Sequence, residues 1–225
     1  LPSKLTSIGG SAFEGCSNLY GSLILPSKLT TIGGGAFAGC SKLTGSLEIP
    51  QGVKNIGGAA FSDCGFDGTL KLHDGITSIG AEAFWACHFR GELNLPKDLT
   101  SIEGGAFARN RFSGKLILPP NLINIKDGAF SGNSRLTGIL EIPASVRSIG
   151  SGAFQYCSTL EGVVFSDGIE NIGSNAFDHC TGIGSIVCKG SNPAYVSSGA
   201  FNGVPKDNFT LEVPEASVNT YKTTS

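Results

Sequence analysis

The chain has 225 residues, of which 40% are apolar and 15% charged, with 33 glycines and no methionine. That is too apolar for a disordered chain and too rich in glycine for a helical bundle. A net charge of −2, with no run of five like charges, argues against nucleic acid and against a polybasic membrane-surface patch. No apolar run approaches the roughly eighteen residues that cross a bilayer, so membrane insertion is not expected.

In chain order, the opening LPSKLTSIGG is neither an initiator methionine nor a signal peptide. It starts in mid-repeat, as a trimmed segment of a longer exported protein would. The first unit carries Leu5, Ile8 and Phe13, then Cys16, then the alternating pair Leu23 and Leu25, then Pro26. The same order returns at Phe37, Phe61, Phe84, Phe107, Phe130, Phe154, Phe177 and Phe201, always 23 or 24 residues apart, so nine units fill the chain. Within each unit, Leu-x-x-Ile reads as a short extended segment. The glycine-rich Ala-Phe corner reads as a helical or 3₁₀ turn that points Ala and Phe inward. The Leu-x-Leu pair, with period two, reads as a strand. Pro26, Pro50, Pro96, Pro119, Pro143 and Pro214 end most of these strands, since proline cannot continue a ladder.

Three units are one residue shorter after the Cys or Asn column. There Phe66, Phe89 and Phe112 arrive one position before the Leu19, Leu43 or Leu136 of other units, and the larger ring reaches the same core column. The ninth unit has Pro193 where the others carry Leu, Val or Ile. No unit can bury its apolar residues alone, whereas stacked copies about 4.8 Å apart place each residue above its equivalent. The predicted fold is therefore a repeat solenoid. It forms one domain over 1–225, a right-handed array of nine coils built mainly of short parallel β-strands with short helical or 3₁₀ turns, about 40 Å long.

The combined pattern Leu-x-x-x-Leu-x-Leu-Pro-x-x-Leu-x-x-Ile-Gly-x-x-Ala-Phe-x-x-Cys resembles the BspA-type (Treponema-type) leucine-rich repeats of bacterial surface proteins. The resemblance covers nearly the whole chain. It departs at His73, Ser166 and Lys189, which replace the strand-ending proline, and at Asn110 and Asn133, which replace Cys. Residues 203–225 resemble the segment that closes such arrays, but lack the aromatic residues expected after it, which leaves an incomplete cap open. The resemblance implies an extracellular or cell-surface protein of a host-associated microbe. Its partner would be a protein or glycan ligand on host or neighbouring cells.

Candidate chemistry is sparse, and no cofactor is expected. Six of the seven cysteines, Cys16, Cys40, Cys64, Cys87, Cys157 and Cys180, stand three residues after Phe, and no Cys-x-x-Cys pair exists to suggest metal. Stacking brings equivalent Cα atoms to about 5 Å, which a disulfide tolerates. Parallel stacked side chains share one direction, however, so free buried thiols are expected. His88 and His179 adjoin Cys87 and Cys180, but neighbouring residues on a turn point apart, and thiol catalysis is not expected. Asn208 begins Asn-Phe-Thr, a glycosylation acceptor sequence without meaning in a bacterium.

Two outward-facing features stand out. On coils four and five, Trp85 occupies a column that is otherwise small or polar, with His88, Arg90, Arg109 and Arg111 nearby. An exposed aromatic and basic cluster of this kind suits an acidic or glycan partner, and Arg stems packed over Trp as surface cover are the competing reading. On the strand face, Ile117, Ile139, Val164 and Val187 lie on consecutive coils, rimmed by Lys115, Glu141 and Glu212. An apolar patch on an open sheet face reads as a protein-binding surface, although Ile and Val are favoured in strands wherever they fall. The expected function is a non-enzymatic, adhesin-like binding module. A structural spacer or stalk presenting another domain is the alternative.

Overall fold

The structure, a computed structural model, describes residues 1–207 and 209–223, so Asn208 and the last two residues lie outside the described residues. The repeated letters become stacked coils with three sides. One side is made of two-residue strands that end in the repeated Ile or Val. Ser7–Ile8, Thr31–Ile32, Asn55–Ile56 and Ser78–Ile79 form a parallel four-stranded sheet. Ser101–Ile102, Asn124–Ile125, Ser148–Ile149, Asn171–Ile172 and Tyr195–Val196 form a parallel five-stranded one.

The Leu-x-Leu side is not one continuous sheet. It is instead divided. Gly21–Ser22 pairs with Leu43–Thr44, and Leu47–Glu48 with Leu70–Lys71. A six-stranded parallel sheet then runs through Arg90–Gly91, Arg111–Lys115, Arg135–Ile142, Leu160–Phe165, Ser185–Cys188 and Thr210–Glu212. Gly21, Gly45, Gly91, Gly114 and Gly138 precede the Leu-x-Leu core at φ between 74° and 83°, a left-handed conformation that glycine adopts at no steric cost, and Gly114 and Gly138 carry it inside the two strands Arg111–Lys115 and Arg135–Ile142.

The Ala-Phe side shares the i→i+3 bonds of the expected 3₁₀ turn but is a chain of overlapping β-turns. In the second coil, Ala36, Ala38 and Cys40 N–H donate to the carbonyls of Gly33, Gly35 and Phe37, while Gly35, Phe37 and Gly39 N–H donate to Gly58, Ala60 and Ser62 of the next coil. Alternate amides thus bond within the coil and between coils, which satisfies both sets without a helix. The residues two before and two after each Phe have positive φ in all nine coils, whether glycine or, as at Ala59, Glu82, Arg109 and Tyr156, not. That alternation prevents helical continuation.

The core follows the columns. Successive repeat Phe rings stack at 5.0 to 5.7 Å between centroids from Phe13 to Phe201. Phe66, Phe89 and Phe112 form a second short stack, edge-on to the first. All three are fully buried, as are Leu43 and Leu136 in the same column. Each buried Phe or Leu contributes about 1.5–3 kcal/mol from removal of apolar surface from water.

The Cys column does more than fill space. Cys40, Cys64, Cys87, Cys157 and Cys180 thiols each donate to the carbonyl of the Phe in an earlier coil, at 2.8 to 3.4 Å. Asn110 and Asn133 place Nδ2 against Phe84 O and Phe107 O at 2.7 and 2.9 Å. The column therefore requires a small donor, and this explains why Cys and Asn interchange there. All seven thiols are free, with Cys16 exposed and Cys188 half-buried.

At the C-terminal end a 3₁₀ turn, Glu215–Ser217, leads into a short helix, α1 (Val218–Thr223). The Tyr221 hydroxyl lies 3.1 Å from Gly190 O and 3.3 Å from Asn192 O. Beneath it is an apolar cavity of about 350 Å³, where Pro193 and Ala194 leave part of the core column unfilled beside Phe165, Cys188 and Phe201.

Candidate binding surfaces

On the strand face, alternation turns Leu116, Leu140 and Val163 inward and their neighbours outward. Ile117 is 71% exposed and Ile139 44%, while Val164 and Val187 are half-buried. Glu141, Val164, Val187 and Glu212 stand in one row across four rungs, and Ile139, Gly162 and Ser185 in the adjacent row. A Cβ on Gly162 would lie 2.7 Å from Ser185 Oγ and 3.6 Å from Ile139 Cγ1, so the bare glycine leaves space for Ser185 and is touched by Ile139.

The four apolar residues do not form the unbroken patch expected from the spacing. Glu141 occupies the rung between Ile117 and Val164, and its Oε1 bonds Lys115 Nζ at 3.0 Å. The ion pair thus lies within the patch instead of around it. That bond and the Lys115 charge, with a smaller contribution from Lys189, hold the Glu141 carboxyl below its ordinary range. Ile117 forms the ridge between two hollows. One, of about 320 Å³, is bounded by Pro120, Glu141, Val164 and Lys189, and the other, of about 290 Å³, by Glu92, Asn94, Lys97 and Pro119. Lys189 was not singled out in the sequence because it replaces a turn proline, and only the stacking brings it to Glu141. Ile24, 80% exposed, crowns a similar hollow beside the Glu48–Lys71 pair.

Trp85 departs from its expected exposure, since it is half-buried. Its indole lies along the next coil, where a Cβ on Gly105 would stand 3.7 Å from Cδ1, and the Arg109 guanidinium sits 5.2 Å from the ring centroid. Of the expected cluster, Arg109 joins Trp85. Arg90 and Arg111 are exposed partners on adjacent strands, and with the exposed His88 they do not line the hollow around the indole. That hollow, about 490 Å³, is bordered instead by Glu82, Asp127 and Ser131, residues the sequence pattern did not mark.

The Cys-His neighbours are held apart. Burial pushes the Cys180 thiol up to about 12, and Cys87 well above its ordinary value, the reverse of an activated nucleophile. His179 Nδ1 meets Asp178 Oδ1 at 2.7 Å, and its ring packs on Tyr156 at 4.8 Å. Gln155 Nε2 donates to the other Asp178 oxygen at 2.7 Å, so this nearly buried carboxylate is engaged on both sides. Among the described residues no group of three or more His, Cys, Asp or Glu is placed to hold a metal ion, and no helix is long and apolar enough to cross a membrane.

Parallel stacked coils, an inward Leu/Ile/Phe lattice and very little helix define a leucine-rich repeat solenoid. The chain belongs to the BspA type leucine rich repeat family, whose pattern it matches over residues 1–113 and 113–221 in six copies. Its fold is similar to a leucine rich cell surface protein from Faecalibacterium prausnitzii A2-165, at 25% identity and TM-score 0.65 over 92% of this chain. It is also similar in fold to a leucine-rich repeat protein from Bacteroides ovatus ATCC 8483, at 21% identity and TM-score 0.57 over 94% of this chain. The chain spans 64% and 65% of the lengths of those two proteins. No curated protein matches it.

Proposed function

We propose that the protein is a non-enzymatic, adhesin-like binding module at the cell surface or outside the cell, and that it docks a protein partner on the outer face of its strand sheet. The observation that carries this reading is Ile117, a large apolar side chain 71% exposed to water on the ridge between two hollows. Ile139, Val164 and Val187 add apolar side chains on three further coils, and the Lys115–Glu141 pair and Lys189 supply charge among them. Side chains projecting from successive parallel strands suit an extended segment better than a small molecule. The surface location is supported by the family and by the cell-surface protein of similar fold.

The test replaces Ile117, Ile139, Val164 and Val187 together by Thr or Ser and measures binding to immobilised host-matrix proteins, with self-association followed by sedimentation. Loss of binding with an unchanged melting curve supports the reading. Unaltered binding by the folded variant moves the site elsewhere. A wild-type chain that binds nothing and stays monomeric favours the spacer.

A further inference from the structure

We propose a second site on the turn side of the solenoid: the hollow around Trp85 binds a neutral saccharide by stacking a sugar ring on the indole. This inference does not depend on the strand-face site. Trp85 is the only tryptophan in the chain, and it stands in a column whose other members are Glu14, Ala38, Ser62, Ala108, Ser131, Gln155, Asp178 and Asn202. Core packing does not require it there, because the inward positions of its coil are already taken by Ala83, Phe84 and Cys87, all fully buried. The indole meets the next coil at Gly105, where a Cβ would stand 3.7 Å from its Cδ1, and the hollow beside it continues along Ala108, Gly128 and Ser131.

The rim determines the ligand class. Glu82 and Asp127 bring two carboxylates and Arg109 one guanidinium, so the hollow is not basic, and an acidic ligand would meet net repulsion. A neutral polyol meets the opposite case. Its hydroxyls donate to the carboxylates and accept from Arg109 and Ser131, while the C–H face of the ring rests on the electron-rich indole. Asp127 is already oriented, since its Oδ1 accepts the Ser151 N–H at 2.7 Å. Arg109 packs on the indole by a cation–π contact at 5.2 Å, and it shifts off part of the ring when the sugar stacks. The hollow is shallow and spans three coils, dimensions that suit a short stretch of a linear glycan at modest affinity.

The single tryptophan makes the test direct. The wild-type chain is titrated with maltohexaose, cellohexaose, xylohexaose and mannohexaose to about 10 mM, with indole emission and calorimetry as readouts. At least one saccharide is expected to shift the emission and bind with a dissociation constant of about 1 mM or below. Trp85→Ala is expected to weaken that binding at least about tenfold with an unchanged melting curve. Should Trp85→Ala fail to fold, the isosteric pair Glu82→Gln and Asp127→Asn provides the same test with the indole intact, again with at least about a tenfold loss. No response to any of the four sugars overturns the proposal. So does unaltered binding in the folded variants, or a salt-sensitive preference for heparin over all four.

Discussion

Asn110 and Asn133 occupy equivalent positions with opposite consequences. Both donate to a Phe carbonyl of the preceding coil, but Asn110 Oδ1 also accepts the Phe89 N–H at 3.0 Å, whereas Asn133 Oδ1 is buried with no partner. An unmet buried acceptor costs about 1–3 kcal/mol. Asn133→Cys keeps a donor and removes the orphan, so it is expected to raise unfolding stability by about 1 kcal/mol. Asn110→Cys strands the Phe89 amide and is expected to lower it by about 1–3 kcal/mol. Urea titration of the two variants checks both signs. The thiols give a pH prediction. Burial first, and then the neighbouring Cys40, push Cys64 up to about 12 from an ordinary value of 9.0, and burial pushes Cys180 to about 12 as well. The fold therefore holds these thiols protonated where the unfolded chain releases the proton. The resulting stability is complete below pH 9 and is lost as pH rises from there through about 12. Urea midpoints should fall between pH 8 and pH 10.5. At pH 8, native protein should react rapidly with a thiol reagent at Cys16, the exposed cysteine.

The turn is the element that decides whether coils can stack. Its left-handed residues lie two before and two after each Phe, and several are not glycine, although an L side chain there costs about 1–2 kcal/mol. Ala59, at φ 53°, is expected to gain about 0.5–1 kcal/mol on replacement by glycine. Gly35→Ala, at φ 64° with its new Cβ 3.2 Å from Ser11 Oγ, is expected to lose at least about 1 kcal/mol. Equal effects of the two substitutions in denaturant titration would contradict the turn geometry. Nothing in the Leu/Phe periodicity marks these positions, because Ser11, Glu82, Tyr156 and His179 share them with glycines. Only the pattern of amides donated alternately within and between coils identifies them.

Across the whole molecule, each coil packs only on its neighbours, so stability should vary along the axis. At the N-terminal coil, Phe13 is half-buried, Cys16 exposed and Leu19 38% exposed, while Phe107 in the middle is fully buried. The strand ladder is also uneven. Arg111–Lys115, Arg135–Ile142 and Leu160–Phe165 are long, whereas the first coils carry two-residue strands. Amide hydrogen exchange should therefore be slowest for Leu140 and Val163 and fastest in the first coil and in Tyr195–Val196 and Thr210–Glu212. Uniform protection along the chain would mean that the array opens as a single unit.

The period, the number of coils and the core were legible in the amino-acid sequence, because stacking makes each residue its own equivalent's neighbour. A column of Phe in the alignment is then a column of rings in space, and Leu23, Leu47 and Leu70 need no further information to be placed. The outward surface follows no such rule. The hollow around Trp85 depends on Glu82, Arg109 and Asp127, which three separate coils bring together, and the apolar patch is divided because Lys115 reaches across a rung to Glu141. The donors in the Cys column became visible only when a thiol met a carbonyl from an earlier coil. Such contacts depend on which side chain lies 5 Å along the axis and which way it turns. Periodicity repeats the core, but neighbours of different size and charge decide the surface.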